Sequence, residues 1–264
     1  MNASAARLDY ALLDRAGVAA SIFFPRPDFT SPPEGASDHI IDIDRSSTVA
    51  ARFFAADTAF PTILYFHGNG EVASDYNDFA PFFHAAGLNL YVADFRGYGA
   101  SKGTPTFEGL VYDAHKVSEH FHKILNDHGY SKTRFIMGRS LGTHPALEIA
   151  ANASDGMAGL IVESGAANLS RLAQMAGSGS DGDEIERLIE AHNAKIAGIS
   201  MPAIILHGEW DQLIPADRAV ELRESLGSTE KELVIIPRAG HNDIFFVGRD
   251  TYMPSIEAFV KRCS

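Results

Sequence analysis

The chain has 264 residues, 45% of them apolar and 21% charged, with a formal charge of −12. A chain of this size buries roughly three quarters of its extended surface, enough for one large core. Its acidity argues against a nucleic-acid partner, because phosphate binding needs clustered Lys and Arg, and it disfavours anionic membrane surfaces.

One cysteine, Cys263, leaves no internal disulfide and fits a reducing compartment. The first residues carry no secretory signal pattern. The mildly apolar run from Tyr10 to Phe24 is interrupted by Asp14 and Arg15 and is too short to cross a bilayer. The expectation is a cytoplasmic protein without stable membrane insertion, in which the sequons at Asn2, Asn152 and Asn168 carry little meaning.

Eight short β-branched or apolar runs predict strands at 39–44, 49–55, 62–66, 88–93, 134–138, 159–163, 203–207 and 232–236. From Thr62 onward these runs are continuously hydrophobic, as parallel strands covered on both faces must be. Helical patterns fall between them, at 74–86, 107–127, 141–151, 216–226 and 243–262. The pattern predicts one α/β domain, a mostly parallel central sheet of about eight strands with helices on both faces. Residues 168–200 interrupt the alternation. They pass through the acidic tract GSGSDGDE, then place Ile185, Leu188, Ile189, His192, Ile196 and Ile199 on one helical face. They predict a small helical insertion after the sixth strand, a minimal cap and not a second domain.

In parallel α/β sheets, ligands bind at the carboxyl ends of the strands. The residues there are His67-Gly68-Asn69-Gly70, Gly138-Arg139-Ser140, Glu209-Trp210-Asp211 and His241. A serine, a carboxylate and a histidine therefore follow three different core strands. Acyl transfer needs these types. A serine hydroxyl requires a base to take its proton, histidine accepts and returns it near neutral pH, and a carboxylate orients the imidazole.

Gly-x-Ser-x-Gly occurs twice, around Ser140 and around Ser101. Only the first lies between a buried strand and a helix, the setting of a nucleophile elbow. The second sits in a Gly-rich loop followed by Thr104-Pro105, which stops any immediate helix. Context selects Ser140.

From about Phe23 to Phe259 the sequence resembles the α/β-hydrolases, and within them the small-lidded serine aminopeptidase-like and esterase-like branch. The resemblance rests on HGNG at 67–70, DFRGYGASKGTP at 94–105, GRSLG at 138–142, VESG at 162–165, HGEWDQLIP at 207–215 and GHND at 240–243. It implies the α/β-hydrolase fold, with Ser140 as nucleophile, Asp211 as orienting acid and His241 as base. It also implies the backbone N–H groups of Leu141 and Asn69 as oxyanion donors. Glu163 is an alternative source of the acid, and Asp243 is expected to cap the last helix. His67 should buttress the oxyanion loop, and Arg96 should pair with Asp94 to hold DFRGYG.

No cofactor or metal is expected. His115, Glu119 and His122 share a helix face, but Leu110, Ala114, Val117, Phe121 and Ile124 form the opposite, core-facing stripe, so the histidines should face solvent. His192 either lines the substrate mouth or packs in the insertion. His144-Pro145, just past the elbow, departs from the small residues usual in relatives.

The expected function is hydrolysis of a carboxylic ester or thioester in a small-molecule acyl substrate. Two alternatives are an amidase or aminopeptidase, with Glu209 or the acidic tract holding an amine, and a non-catalytic binding protein on the same fold. The sequence leaves the oligomeric state open.

Overall fold

The computed structural model describes residues 7–152, 156–176 and 182–264. Asn2 and residues 177–181 of the acidic tract lie outside the described residues. Strands β1 (Ala36–Asp42), β2 (Thr48–Phe54), β3 (Thr62–Phe66), β4 (Asn89–Ala93), β5 (Arg134–Arg139), β6 (Met157–Glu163), β7 (Ala203–Gly208) and β8 (Lys231–Ile236) form one sheet. Their order is β1-β2-β4-β3-β5-β6-β7-β8. β1 and β2 are joined antiparallel, β2 meets β4 antiparallel, and all pairs beyond are parallel.

This is the α/β-hydrolase architecture read from the sequence. Every residue of β3, β4, β5 and β7 is buried, which is why those runs lack polar alternation. The helices are α1 (Val18–Ile22), α2 (Ala80–Ala85), α3 (Phe107–Asp127), α4 (Thr143–Asn152), α5 (Ser170–Ala176), α6 (Gly182–Ala197), α7 (Ala216–Ser225), α8 (Ile244–Val247) and α9 (Arg249–Cys263). One apolar layer on the sheet contains Phe107, Val117 and Phe121 of α3 and Leu147 of α4. The layer on the opposite face contains Phe83 of α2 and Tyr252, Ile256 and Phe259 of α9.

Two expected helices are each broken. Residues 74–86 become a 3₁₀ turn, Ala73–Asn77, followed by α2, with Pro81 in the first turn where its missing N–H costs nothing. The last helix divides at Gly248, where a Cβ would collide with the Ile236 side chain.

The amino-terminal run is structured in a way its apolar pattern does not disclose. Tyr10–Gly17 form a 3₁₀ helix leading into α1. The Asp14 carboxylate accepts the N–H groups of Phe107 (2.5 Å) and Glu108 (3.0 Å), capping α3 together with Thr106, whose hydroxyl accepts the Gly109 N–H. A carboxylate at this end of a long helix also meets the positive end of its dipole. No helix of the described residues is long and apolar enough to cross a membrane.

Candidate active site

Ser140 stands directly after β5 with φ = 51°, a left-handed conformation that L-residues adopt only under constraint. The two flanking glycines explain the constraint. A Cβ on Gly138 would strike the Gly142 carbonyl, and a Cβ on Gly142 would strike the Phe66 carbonyl of β3. The turn thus folds back on its own strand and packs against the end of β3, and its serine is left at the rim.

The Ser140 Oγ lies 2.9 Å from Nε2 of His241, and Nδ1 of His241 lies 2.7 Å from Oδ2 of Asp211. Three residues up to 101 positions apart in sequence therefore form one hydrogen-bonded line. The Asp211 carboxyl is fully buried. Burial alone would raise its pKa, but the His241 hydrogen bond, the Ile214 N–H and neighbouring His207 together hold it below the usual carboxylate range. Its second oxygen accepts the N–H groups of Leu213 (2.9 Å) and Ile214 (2.8 Å). His207 donates from Nε2 to the Ile214 carbonyl at 2.8 Å, 3.4 Å from the carboxylate, and so braces the same loop.

Asn69 and Leu141 lie on the rim beside Ser140. The Asn69 N–H has no protein acceptor among the described residues. That of Leu141 belongs to the first turn after the elbow, where N–H groups lack intrahelical partners. The Asn69 side chain is locked in place. It accepts from Tyr98 Oη (2.6 Å) and the Phe24 N–H (3.0 Å), and donates to the Ile22 carbonyl. His67 donates from Nδ1 to the Gly68 carbonyl at 2.7 Å and stands 3.2 Å from Asp94.

The serine opens into a cavity of about 590 Å³. Its walls are largely apolar, from Ile22, Phe24, Leu172, Met175, Leu213 and Ile214, and they hold Arg218 but no Asp or Glu among the described residues.

The fold is that of the Pyrococcus furiosus esterase Pf2001, with a TM-score of 0.71 and 18% identity over 92% of this chain and 99% of that one. The family model for serine aminopeptidase, S33, matches residues 57–179, a span that holds the HGNG loop and the elbow. The chain has the α/β-hydrolase fold. It is similar to protein bem46 of Schizosaccharomyces pombe, 29% identical over 201 residues, 69% of this chain and 62% of that protein. It is also similar to YfhR of Escherichia coli K12, 28% identical over 193 residues, 72% of this chain and 66% of that protein. The aligned region thus spans about two thirds of these relatives' lengths.

Several expectations from the sequence need correction. Arg96 pairs with Asp113 (2.6 Å) and Asp44 (3.2 Å), not with Asp94. Asp94 instead accepts the Ala73 N–H and fills the space where a Gly99 side chain would stand. Glu163, the alternative acid, makes no bond to His241; its partners among the described residues are Arg139 (2.9 Å), Tyr252 Oη (2.6 Å) and Tyr65 Oη (3.3 Å). Asp243 makes no side-chain cap to the helix after it and accepts the Gly240 N–H, tightening the turn that carries His241. His115 and His122 are partly exposed, as expected, but not unpartnered: the His115 side chain, 38% exposed, bonds Glu148 at 2.9 Å and His122 accepts from Arg134. No cluster of metal-binding residues occurs among the described residues.

Ser101, the rival of Ser140, is occupied otherwise. Its hydroxyl accepts the Ala50 N–H at 2.8 Å and ties the DFRGYG loop to β2. His192 is buried between Tyr10 Oη (2.7 Å) and the Ala167 carbonyl (2.9 Å), so the packed reading holds.

The residue missed by sequence reasoning is Arg139, the variable position of the elbow motif. Its guanidinium is almost buried and bonds Glu163 and Glu71, then reaches the His241 carbonyl (3.1 Å) and Asn242 Oδ1 (3.0 Å). Burial works against its charge, but the two carboxylates outweigh that and raise its pKa further. Glu71 also accepts the Gly68 N–H at 2.7 Å. One buried cation therefore ties together the oxyanion-side loop, the elbow and the histidine loop. The available signal was an arginine directly after the apolar run Phe135-Ile136-Met137-Gly138, which must find carboxylates if it is buried.

Proposed function

We propose that this chain is a serine hydrolase of carboxylic esters or thioesters acting through an acyl-enzyme on Ser140. The observation that carries the reading is the continuous line Ser140 Oγ, His241 Nε2, His241 Nδ1, Asp211 Oδ2 at the mouth of an apolar cavity. Asp211 fixes the His241 tautomer with the proton on Nδ1, leaving Nε2 as the base. Ser140 Oγ attacks the acyl carbon while its proton passes to Nε2. The oxyanion then accepts hydrogen bonds from the N–H groups of Asn69 and Leu141, each of which contributes about 3–4 kcal/mol to the transition state. Collapse breaks the bond to the leaving alkoxide or thiolate, which takes the proton from Nε2. Water repeats the sequence on the acyl-enzyme, giving its proton to Nε2 and releasing the carboxylic acid with Ser140 restored.

Esters are favoured over the substrates of an aminopeptidase. A free amine would want a carboxylate at the mouth, and the described lining has none. Glu209, one candidate for that role, is outside the lining and accepts the Arg238 N–H instead. A matched panel of a p-nitrophenyl ester, the corresponding thioester and an aminoacyl anilide tests this. The ester or thioester should exceed the anilide in kcat/KM by at least about 10³-fold, as expected when an amine is left without a charged partner in the site. Faster turnover of the anilide would reverse the assignment to an amidase. No turnover of any member would favour the binding-protein reading.

A further inference from the structure

The elbow serine and His144 are four residues apart across the start of α4, and both line the same cavity. His144 is the first residue after the elbow whose side chain carries a polar group to that wall. Its ring packs edge-on against Phe107, with centroids 5.0 Å apart, and stands 6.5 Å from the His192 ring. Nδ1 is fully buried and has no hydrogen-bond partner among the described residues. The accessible polar atom of the ring is therefore Nε2, on the cavity side. Burial first, then the positive fields of His192 and Lys195, push the His144 pKa down to about 3, so the ring is neutral at pH 7. A neutral imidazole has one N–H, and orphaned buried N–H groups are rare, so the proton belongs on Nε2.

The cavity side of Ser140 is the acyl side. His241 hands its proton to the leaving group, so the leaving group sits on the His241 side, and His241 is not among the residues that line the cavity. The wall is largely apolar, with polar side chains also at Ser21, Asn168, Ser170, Gln174 and Arg218, and the His144 N–H is the neutral side-chain donor on it nearest in sequence to Ser140. It donates to an oxygen placed at its reach and is left unpaired by plain hydrocarbon.

We infer that His144 is a specificity residue: its Nε2–H donates to an uncharged oxygen borne by the acyl chain, so the preferred acyl group is oxygen-substituted (ether, hydroxyl or keto) within a few bonds of the scissile carbonyl. The inference rests on the acyl-enzyme reading above and names the substrate class of that same site.

An oxygen scan of the acyl chain tests it. p-Nitrophenyl esters of one chain length, in which a single methylene is replaced by an ether oxygen at successive positions, are compared with the all-carbon ester in wild type, His144→Phe and His144→Gln. In wild type one position should raise kcat/KM about tenfold over the hydrocarbon, the size of one net hydrogen bond. His144→Phe should bring that ratio to within about twofold while still hydrolysing the all-carbon ester, and His144→Gln, which keeps an N–H donor, should restore part of the preference. A folding defect would lower both members of each pair and leave the ratio unchanged. A flat scan in wild type, or a preference that survives in His144→Phe, overturns the inference while leaving ester hydrolysis intact. Absence of turnover for every ester in wild type would instead remove the acyl-enzyme reading on which it rests.

Discussion

Ser140→Ala, His241→Ala and the double variant should each lose about 10⁶-fold in kcat on an activated ester, with the double variant no worse than either single change. The reason lies in the hydrogen-bonded line. Under the proposed acyl-enzyme mechanism the hydroxyl and the imidazole, 2.9 Å apart, act as one proton-transfer unit, so removing either partner would end nucleophilic attack. Asp211→Asn should cost less, about 10⁴-fold, because it leaves nucleophile and base present but orients the wrong tautomer. Steady-state kinetics on the four variants, with circular dichroism confirming the fold, checks the series. Additive losses in the double variant would mean that the two residues serve separate steps.

Arg139→Met should destabilise the fold by about 3–5 kcal/mol, the size expected when one partner of a buried ion pair is removed. Met matches the bulk of the stem but leaves Glu163 almost buried with only the two tyrosine hydroxyls for partners, and leaves Glu71 on the Gly68 N–H and Tyr76. Urea unfolding measures that loss. A second readout separates positioning from bulk stability. Arg139 holds the His241 carbonyl at 3.1 Å, so at temperatures where the variant is folded kcat should still fall, by up to about 10²-fold, with KM little changed. Pairing the change with Glu163→Gln should recover part of the stability, because the two losses share one interaction. A folded Arg139→Met variant with wild-type kcat would limit the residue to scaffolding.

The alternation of apolar runs and helical patterns was enough to read the sheet, because the middles of the buried parallel strands are apolar and their polar residues, Thr62, Asn89, Arg134, Arg139 and His207, stand at or next to the strand ends. β3, β4, β5 and β7 are buried along their whole length, and α3 spans the residues its stripe predicts. The two Gly-x-Ser-x-Gly copies were separable for a related reason. A strand before the motif and a helix after it leave local signals, whereas the Ala50 N–H that occupies Ser101 is 51 residues away and leaves none. Long-range polar partners were the part that could not be read. Arg96 was assigned to the nearest carboxylate in sequence, yet it pairs with Asp113 across the start of α3. His115 looked solvated because its partner, Glu148, lies on another helix. Tyr10 gave no sign that its hydroxyl meets His192 and Lys195, some 180 residues away. Charge and polarity tell which residues need partners when buried; only the fold tells which partner is within reach.

The account stands on Ser140 as the acylated residue. Labelling with a fluorophosphonate probe, followed by peptide mapping, tests that most directly, because the probe needs an activated serine and not merely an exposed one. The probe should attach to Ser140, with labelling lost in Ser140→Ala and His241→Ala and retained in Ser101→Ala. Attachment at Ser101, or labelling that persists in Ser140→Ala, would contradict it.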